Sequence, residues 1–108
     1  MEEHLPLTEA TFFILLTLVP GARHGYAILK EVEALSAGRV RLSTGTLYGA
    51  LDRLLNLGWI ARLDEEPTGG RVHKSYQLTA LGRQILQAET DRMAALVAAS
   101  QRRLREAE

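Results

Sequence analysis

Apolar residues recur along the chain with two different periods, and the changes of period divide it into elements. Thr8 stands just before an apolar run, with Glu9 behind it. This is the arrangement of a helix start: a hydroxyl accepts a free N–H of the first turn, and an acid meets the positive end of the helix dipole. The run Phe12-Phe13-Ile14-Leu15-Leu16, then Leu18-Val19, is apolar nearly all the way round and ends at Pro20-Gly21. A surface helix of a small monomer shows one apolar stripe. This helix therefore runs through the centre of the domain or has its second face covered by another subunit, and in so short a chain the second is the expectation. A second helix is predicted from His24 to about Ser36, with Tyr26, Ile28, Leu29, Val32 and Leu35 as its apolar positions and Ala37-Gly38 closing it. Val40 and Leu42 alternate with Arg39 and Arg41 as in a short extended link. Ser43 then caps a third helix over 44–57, ending at Gly58.

After Gly58 the period becomes two. Residues 59–63 read as a strand, 66–70 as a turn and 72–78 as a returning strand. Thr79 caps a final helix whose apolar positions Leu81, Ile85, Leu86, Met93, Leu96, Val97 and Leu104 recur at steps of three and four and wider multiples of the helical turn. Over 80–105 it would be about 39 Å long, whereas the rest of the chain makes a domain only about 30 Å across. Part of this helix must project, and a projecting apolar stripe needs a partner; a symmetric homodimer supplies one. Phe12, Phe13 and Leu16 of the first helix, with Leu86, Met93, Leu96 and Val97 of the last, are the candidate dimerisation residues. The order of elements predicts a mainly α fold with a β-hairpin wing, a winged helix-turn-helix plus a long C-terminal dimerisation helix. Residues 1–78 would form the DNA-binding domain and 79–108 the dimerisation helix, as one compact unit.

Composition narrows the function. The chain of 108 residues is 46% hydrophobic and carries 13 basic against 13 acidic side chains, enough apolar mass for one modest core. It has no cysteine, hence no disulfide framework and no thiolate metal site. Glu2 and Glu3 stand where a secretory signal would carry positive charge, and no apolar run is long enough to span a bilayer, so a cytoplasmic, membrane-free protein is expected. His4, His24 and His73 fall in three different predicted elements without metal-ligand spacing. Neither a metal, a cofactor nor an enzymatic activity is expected. A net charge of zero argues mildly against nucleic-acid binding, but its distribution is uneven. Acids are absent over 34–51, which holds Arg39 and Arg41, and over 67–88, which holds Arg71, Lys74 and Arg83.

The third helix has two faces. Leu47, Ala50, Leu51, Leu54 and Leu55 fall on one side; Gly45, Thr46, Gly49, Asp52, Arg53 and Asn56 fall opposite, with Tyr48 at the flank. Each glycine on a solvent-facing helix surface costs roughly 1 kcal/mol relative to alanine. A helix whose backbone must approach the floor of a DNA major groove has a use for such bareness. Ser43, Thr44 and Thr46 place hydroxyls and free N–H groups at the positive end of the helix, which suits phosphate. Gly45, Gly49 and Arg53 join these as candidate DNA contacts; Ser43 also reads simply as a cap, Tyr48 as a packing residue and Arg53 equally as a solvated or locally paired one. In the hairpin, Arg71, His73 and Lys74 beside a Gly-rich tip could straddle a phosphate backbone, or form a solvated turn.

The stretches Leu7-Thr8-Glu9, Arg23-His24-Gly25-Tyr26-Ala27-Ile28, Gly45-Thr46-Leu47-Tyr48-Gly49-Ala50-Leu51 and Tyr76-Gln77-Leu78-Thr79-Ala80-Leu81-Gly82, in this order and spacing, resemble the PadR family of bacterial transcriptional regulators. The resemblance covers nearly the whole chain and points to the short branch of the family, with a single C-terminal helix. It implies a homodimeric repressor on a pseudo-palindromic operator in double-stranded DNA, often released by a small-molecule effector. It also implies recognition contacts from Ser43, Thr44, Thr46 and Tyr48, and phosphate contacts from Tyr26 and Lys74. Some short members hold flat ligands against an aromatic residue of the last helix; residues 79–108 here contain no Phe, Tyr or Trp. The alternative is a dimeric winged-helix module that binds protein rather than DNA, supported by the near-neutral charge and by Asp52.

Overall fold

The computed structural model describes residues 2–68 and 71–107, with the side chains of Glu2, 65–68 and 71–73 outside the description. After a short 3₁₀ turn at Glu2–His4 come α1 (Glu9–Thr17), β1 (Arg23–His24), α2 (Gly25–Leu35), α3 (Thr44–Asn56), β2 (Ile60–Thr68), β3 (Arg71–Leu78) and α4 (Ala80–Glu106). Three helix starts are set by the same local device. The hydroxyls of Thr8, Ser43 and Thr79 accept the N–H of Thr11, Thr46 and Gly82, respectively, each capping one of the N–H groups that a first turn leaves without an acceptor. Ala37, Gly38 and Gly58 take positive φ where α2 and α3 give way to the next segment.

The core joins Ile14, Leu15 and Leu18 of α1 to Ile28 and Val32 of α2, Leu47, Leu51 and Leu54 of α3, the hairpin residues Ile60 and Tyr76, and Ile85 and Leu86 of α4. Helix α1 therefore runs through the centre of its own domain, contrary to the expectation that a partner subunit would account for its apolar girdle, while Phe12, Phe13 and Leu16 pack only partly against the core. Trp59, 4% exposed, is a packing residue with the ring of His4 edge-on at 5.3 Å. Tyr26 at 69% and Leu35 and Leu81 at 43% exposure lie outside the core despite their helical spacing.

The sheet has a strand that sequence periodicity does not reveal. Two-residue β1 pairs antiparallel with β3, giving the order β1-β3-β2. Such a strand is too short to show alternation; only its partner makes it a strand. Strand β2 also runs on to Thr68, past the end at 63 that alternation suggests. The ladder pairs Glu65 with His73 and Thr68 with Arg71, so Glu66 and Pro67 stand opposite Val72 alone, in a bulge. Proline offers no N–H to a ladder and is tolerated there, so the strand continues through what reads as a turn signal. Gly69 and Gly70, at the tip of the expected turn, lie outside the described residues.

Helix α4 has 27 residues, about 40 Å of helix. Its buried positions, Gly82, Ile85, Leu86 and Glu89, all lie in its first half. Beyond them Leu96, Val97 and Leu104 are 57%, 53% and 67% exposed, and the protomer measures 64 × 28 × 22 Å. The helix projects, as its length required.

Candidate nucleic-acid interface

The outward face of α3 is bare. Ser43, Thr44, Gly45, Thr46, Gly49, Asp52, Arg53 and Asn56 are exposed, and Tyr48 is 39% exposed at the edge. A methyl group added at Gly45 or Gly49 would meet nothing within 4 Å. Among the described residues nothing asks for glycine at either position. Ser43 Oγ accepts the Thr46 N–H at 3.1 Å and donates to Thr46 Oγ1 at 2.9 Å, so the cap is real and orders both hydroxyls. The N–H groups of Thr44 and Gly45 precede the first intrahelical bond, made by Leu47 to the Ser43 carbonyl, and point to the positive end of the helix.

Tyr48 is positioned by Gly25. A methyl group at Gly25 would fall 2.5 Å from the Tyr48 hydroxyl, so the first residue of α2 leaves room for that ring. Tyr26, Leu29, Leu42, Ser43, Thr44 and Tyr48 line a groove of about 270 Å³ between α2 and α3. Lys30 Nζ lies 5.5 Å from the centre of the exposed Tyr26 ring, a one-turn cation–π pair that adds a cation to this face. Sequence reasoning missed Lys30, although the i, i+4 spacing from Tyr26 could have found it. His24 Nδ1 contacts the Lys74 carbonyl at 3.3 Å, joining the start of α2 to the wing.

Charge is arranged differently from its order in sequence. Arg39 pairs with Glu9, and Arg41 with Glu33 at 3.2 Å, so the acid-free stretch 34–51 is neutralised from elsewhere. Arg53 donates to Thr11 Oγ1 at 3.0 Å, and Arg83 to the Val19 carbonyl at 3.4 Å. Lys74 stands directly across from Asp64 in the ladder, yet Asp64 is held by Arg62 at 3.0 Å. Lys74 is exposed and makes no ion pair among the described residues. The side chain of Arg71 lies outside the described residues. Burial pushes the Tyr76 phenol up and Tyr48 adds to it, while Arg62 opposes them.

Of the candidate dimerisation residues, Leu86 is 6% exposed within the protomer's own core, Phe12, Phe13, Leu16 and Met93 are half-buried, and Leu96 and Val97 are open. Among the described residues no group of acids and histidines could hold a metal ion, and no helix is long and apolar enough to cross a membrane.

Helices α2 and α3 set against a small sheet with a protruding hairpin define a winged helix-turn-helix carrying a long C-terminal helix. The chain belongs to the PadR-like family of transcriptional regulators, whose family model matches residues 14–88. That family is one of transcription regulators, not of enzymes. The match ends where α4 leaves the domain. A protein of 37.1 kDa in transposon Tn4556 of Streptomyces fradiae is 39% identical over 88 residues, covering 82% of this chain and 24% of the relative; the chain spans about a quarter of that protein. Two solved structures have the same fold. A PadR family transcription regulator from Clostridium difficile R20291 superposes with a TM-score of 0.75 at 22% identity, over 90% of this chain and 99% of that one. Bacillus subtilis PadR in complex with operator DNA superposes with a TM-score of 0.65 at 24% identity, over 72% of this chain and 45% of that one.

Proposed function

We propose that this regulator is a sequence-specific DNA-binding repressor. It acts in the cytoplasm as a homodimer on a pseudo-palindromic operator and is released by a small-molecule effector. Residues 1–78 bind DNA and 79–108 pair the subunits. Helix α3 enters the major groove by its Gly45–Gly49 face, with Ser43, Thr44, Thr46 and Tyr48 reading or positioning; Tyr26, Arg71 and Lys74 meet phosphates. Family membership and the operator complex of Bacillus subtilis PadR support this reading. The observation that carries it is the empty space over Gly45 and Gly49: a helix weakened by two exposed glycines gains only if another surface comes close. For pairing, the open Leu96 and Val97 on a projecting helix are the support.

The test is a titration against a duplex from upstream of its own gene at several salt concentrations. Neutralising roughly 6–8 phosphates per dimer makes log K fall with log[salt] at a slope near −5 to −7. Light scattering on the same sample is expected to give twice the protomer mass at micromolar concentration. The second reading, a winged helix that docks a protein, is favoured by the internal pairing of Arg39 and Arg41, which leaves less free positive charge beside α3. Absence of salt-dependent DNA binding would select it.

A further inference from the structure

We propose that Glu89 is a positioning residue, whose buried carboxylate joins α4 to the head of α1 and, through Thr11, to Arg53 on α3. Glu89 is the last buried residue of α4 before the helix leaves the domain, and it is only 1% exposed. An ionised carboxylate is expensive to bury unless its oxygens are fully partnered. Here Oε2 accepts the Leu7 N–H at 2.7 Å and Arg92 Nη2 at 3.2 Å, and Oε1 accepts Arg92 Nε at 2.5 Å. The Arg92 bonds hold the carboxyl below the usual glutamate value against the opposing effect of burial, and the Leu7 N–H adds to them. These are charge-assisted bonds, strong enough to fix a joint.

The connections continue from there. Leu7 leads directly into Thr8, whose hydroxyl accepts the Thr11 N–H at 3.2 Å and donates to Thr11 Oγ1 at 3.0 Å. Thr11 is 4% exposed, and its Oγ1 also accepts Arg53 Nη2 at 3.0 Å. A continuous path of directional bonds thus runs from the joint of α4, over the cap of α1, to the last turn of α3. Arg92 stands at the outer end of the path. Leu5, Ala88, Asp91 and Arg92 line an open cleft of about 530 Å³ beside the joint. A change in the angle of the projecting half of α4 reaches Arg92 first, then Leu7, and is passed to α3 as altered hydrogen-bond geometry. An apolar residue at position 89 would close the core without transmitting direction. Arg53, exposed on the outward face, thereby also ties the last turn of α3 to the head of α1.

The inference rests on α3 being the DNA-reading helix. The full chain is titrated against the duplex from upstream of its own gene as wild type, Glu89→Gln, Thr11→Val and the double variant. Each single change is expected to weaken binding about tenfold, and the double change no more than either alone, because both cut one path. An additive loss of about a hundredfold would overturn the proposal. A DNA-free measurement decides the same question even if Thr11→Val does not fold. In Glu89→Gln the amide resonances of Gly45 and Gly49 shift; changes confined to residues around Leu7 and Arg92 would exclude the path. If wild type leaves the duplex unbound, the DNA reading fails, and the two glycine resonances still decide the role of Glu89.

Discussion

Helices α3 and α4 both carry glycine, with opposite surroundings. A methyl group at Gly82 on α4 would lie 1.9 Å from the Trp59 carbonyl oxygen and 3.0 Å from Leu78 Cδ1, whereas one at Gly45 or Gly49 on α3 would meet nothing within 4 Å. At Gly82 the protomer itself occupies the space: α4 starts hard against the end of the α3–β2 connection. On α3 the space is vacant, and the backbone is left bare to the outside. The same residue type is a packing requirement in one helix and an opening in the other. Reading glycine as function is justified only where the fold supplies no neighbour to explain it.

The contrast can be broken by substitution. The largest effect is expected from Gly82→Ala, where a backbone carbonyl must move: a loss of about 3 kcal/mol or more in a urea melt. An unchanged melt would mean that α4 is not held against Trp59. Gly49→Leu should do the reverse, with a stability equal to or slightly above wild type and operator affinity down about a hundredfold, or about 2.8 kcal/mol. Full affinity in that variant would remove the close approach. Lys74→Ala is expected to weaken binding by a smaller factor on every sequence and to flatten the salt slope by about 1 for each phosphate that the wing ceases to neutralise. An unaltered slope would take the wing off the backbone.

The smallest effect concerns pH and the other side of α4. The Glu89 carboxyl sits below its ordinary value of 4.5 in the folded protein, chiefly because Arg92 bonds to it. The folded state therefore binds that proton less readily than the unfolded chain. The resulting stability is complete above the unfolded value and is lost as pH falls through it towards the lowered folded value. Thermal melts between pH 6 and pH 3 should show wild type losing more stability than Glu89→Gln. Parallel curves would show that the carboxylate contributes nothing to the acid limb.

Much of the architecture is legible because it is written in local chemistry. The caps at Thr8, Ser43 and Thr79 act over three residues, and the stops near Gly38 and Gly58 over one or two. The inward leucines of α3 follow from the helical period, and so do the outward glycines. The length of α4 alone requires a projection. What escapes the sequence is contact between distant segments. Arg53 reaches Thr11 across 42 positions, Arg39 reaches Glu9 across 30, and Leu7 reaches Glu89 across 82. In sequence Arg53 reads as an outward cation because periodicity gives a direction on the helix, not what stands beside it. Glu89 does not stand out because a glutamate amid an apolar stripe looks like solvent-facing charge until an amide and a guanidinium are seen to close on it.

Sequence by itself thus determined the four helices and the hairpin, their order, the bare face of α3 and the overhang of α4, since capping, periodicity and helix rise act between near neighbours. Only the tertiary structure decided which charges stay free, that β1 is a strand and that Glu89 lies buried. Each of these depends on groups brought together by the fold, and an ion pair or a hydrogen bond forms by distance in space, whatever the distance along the chain.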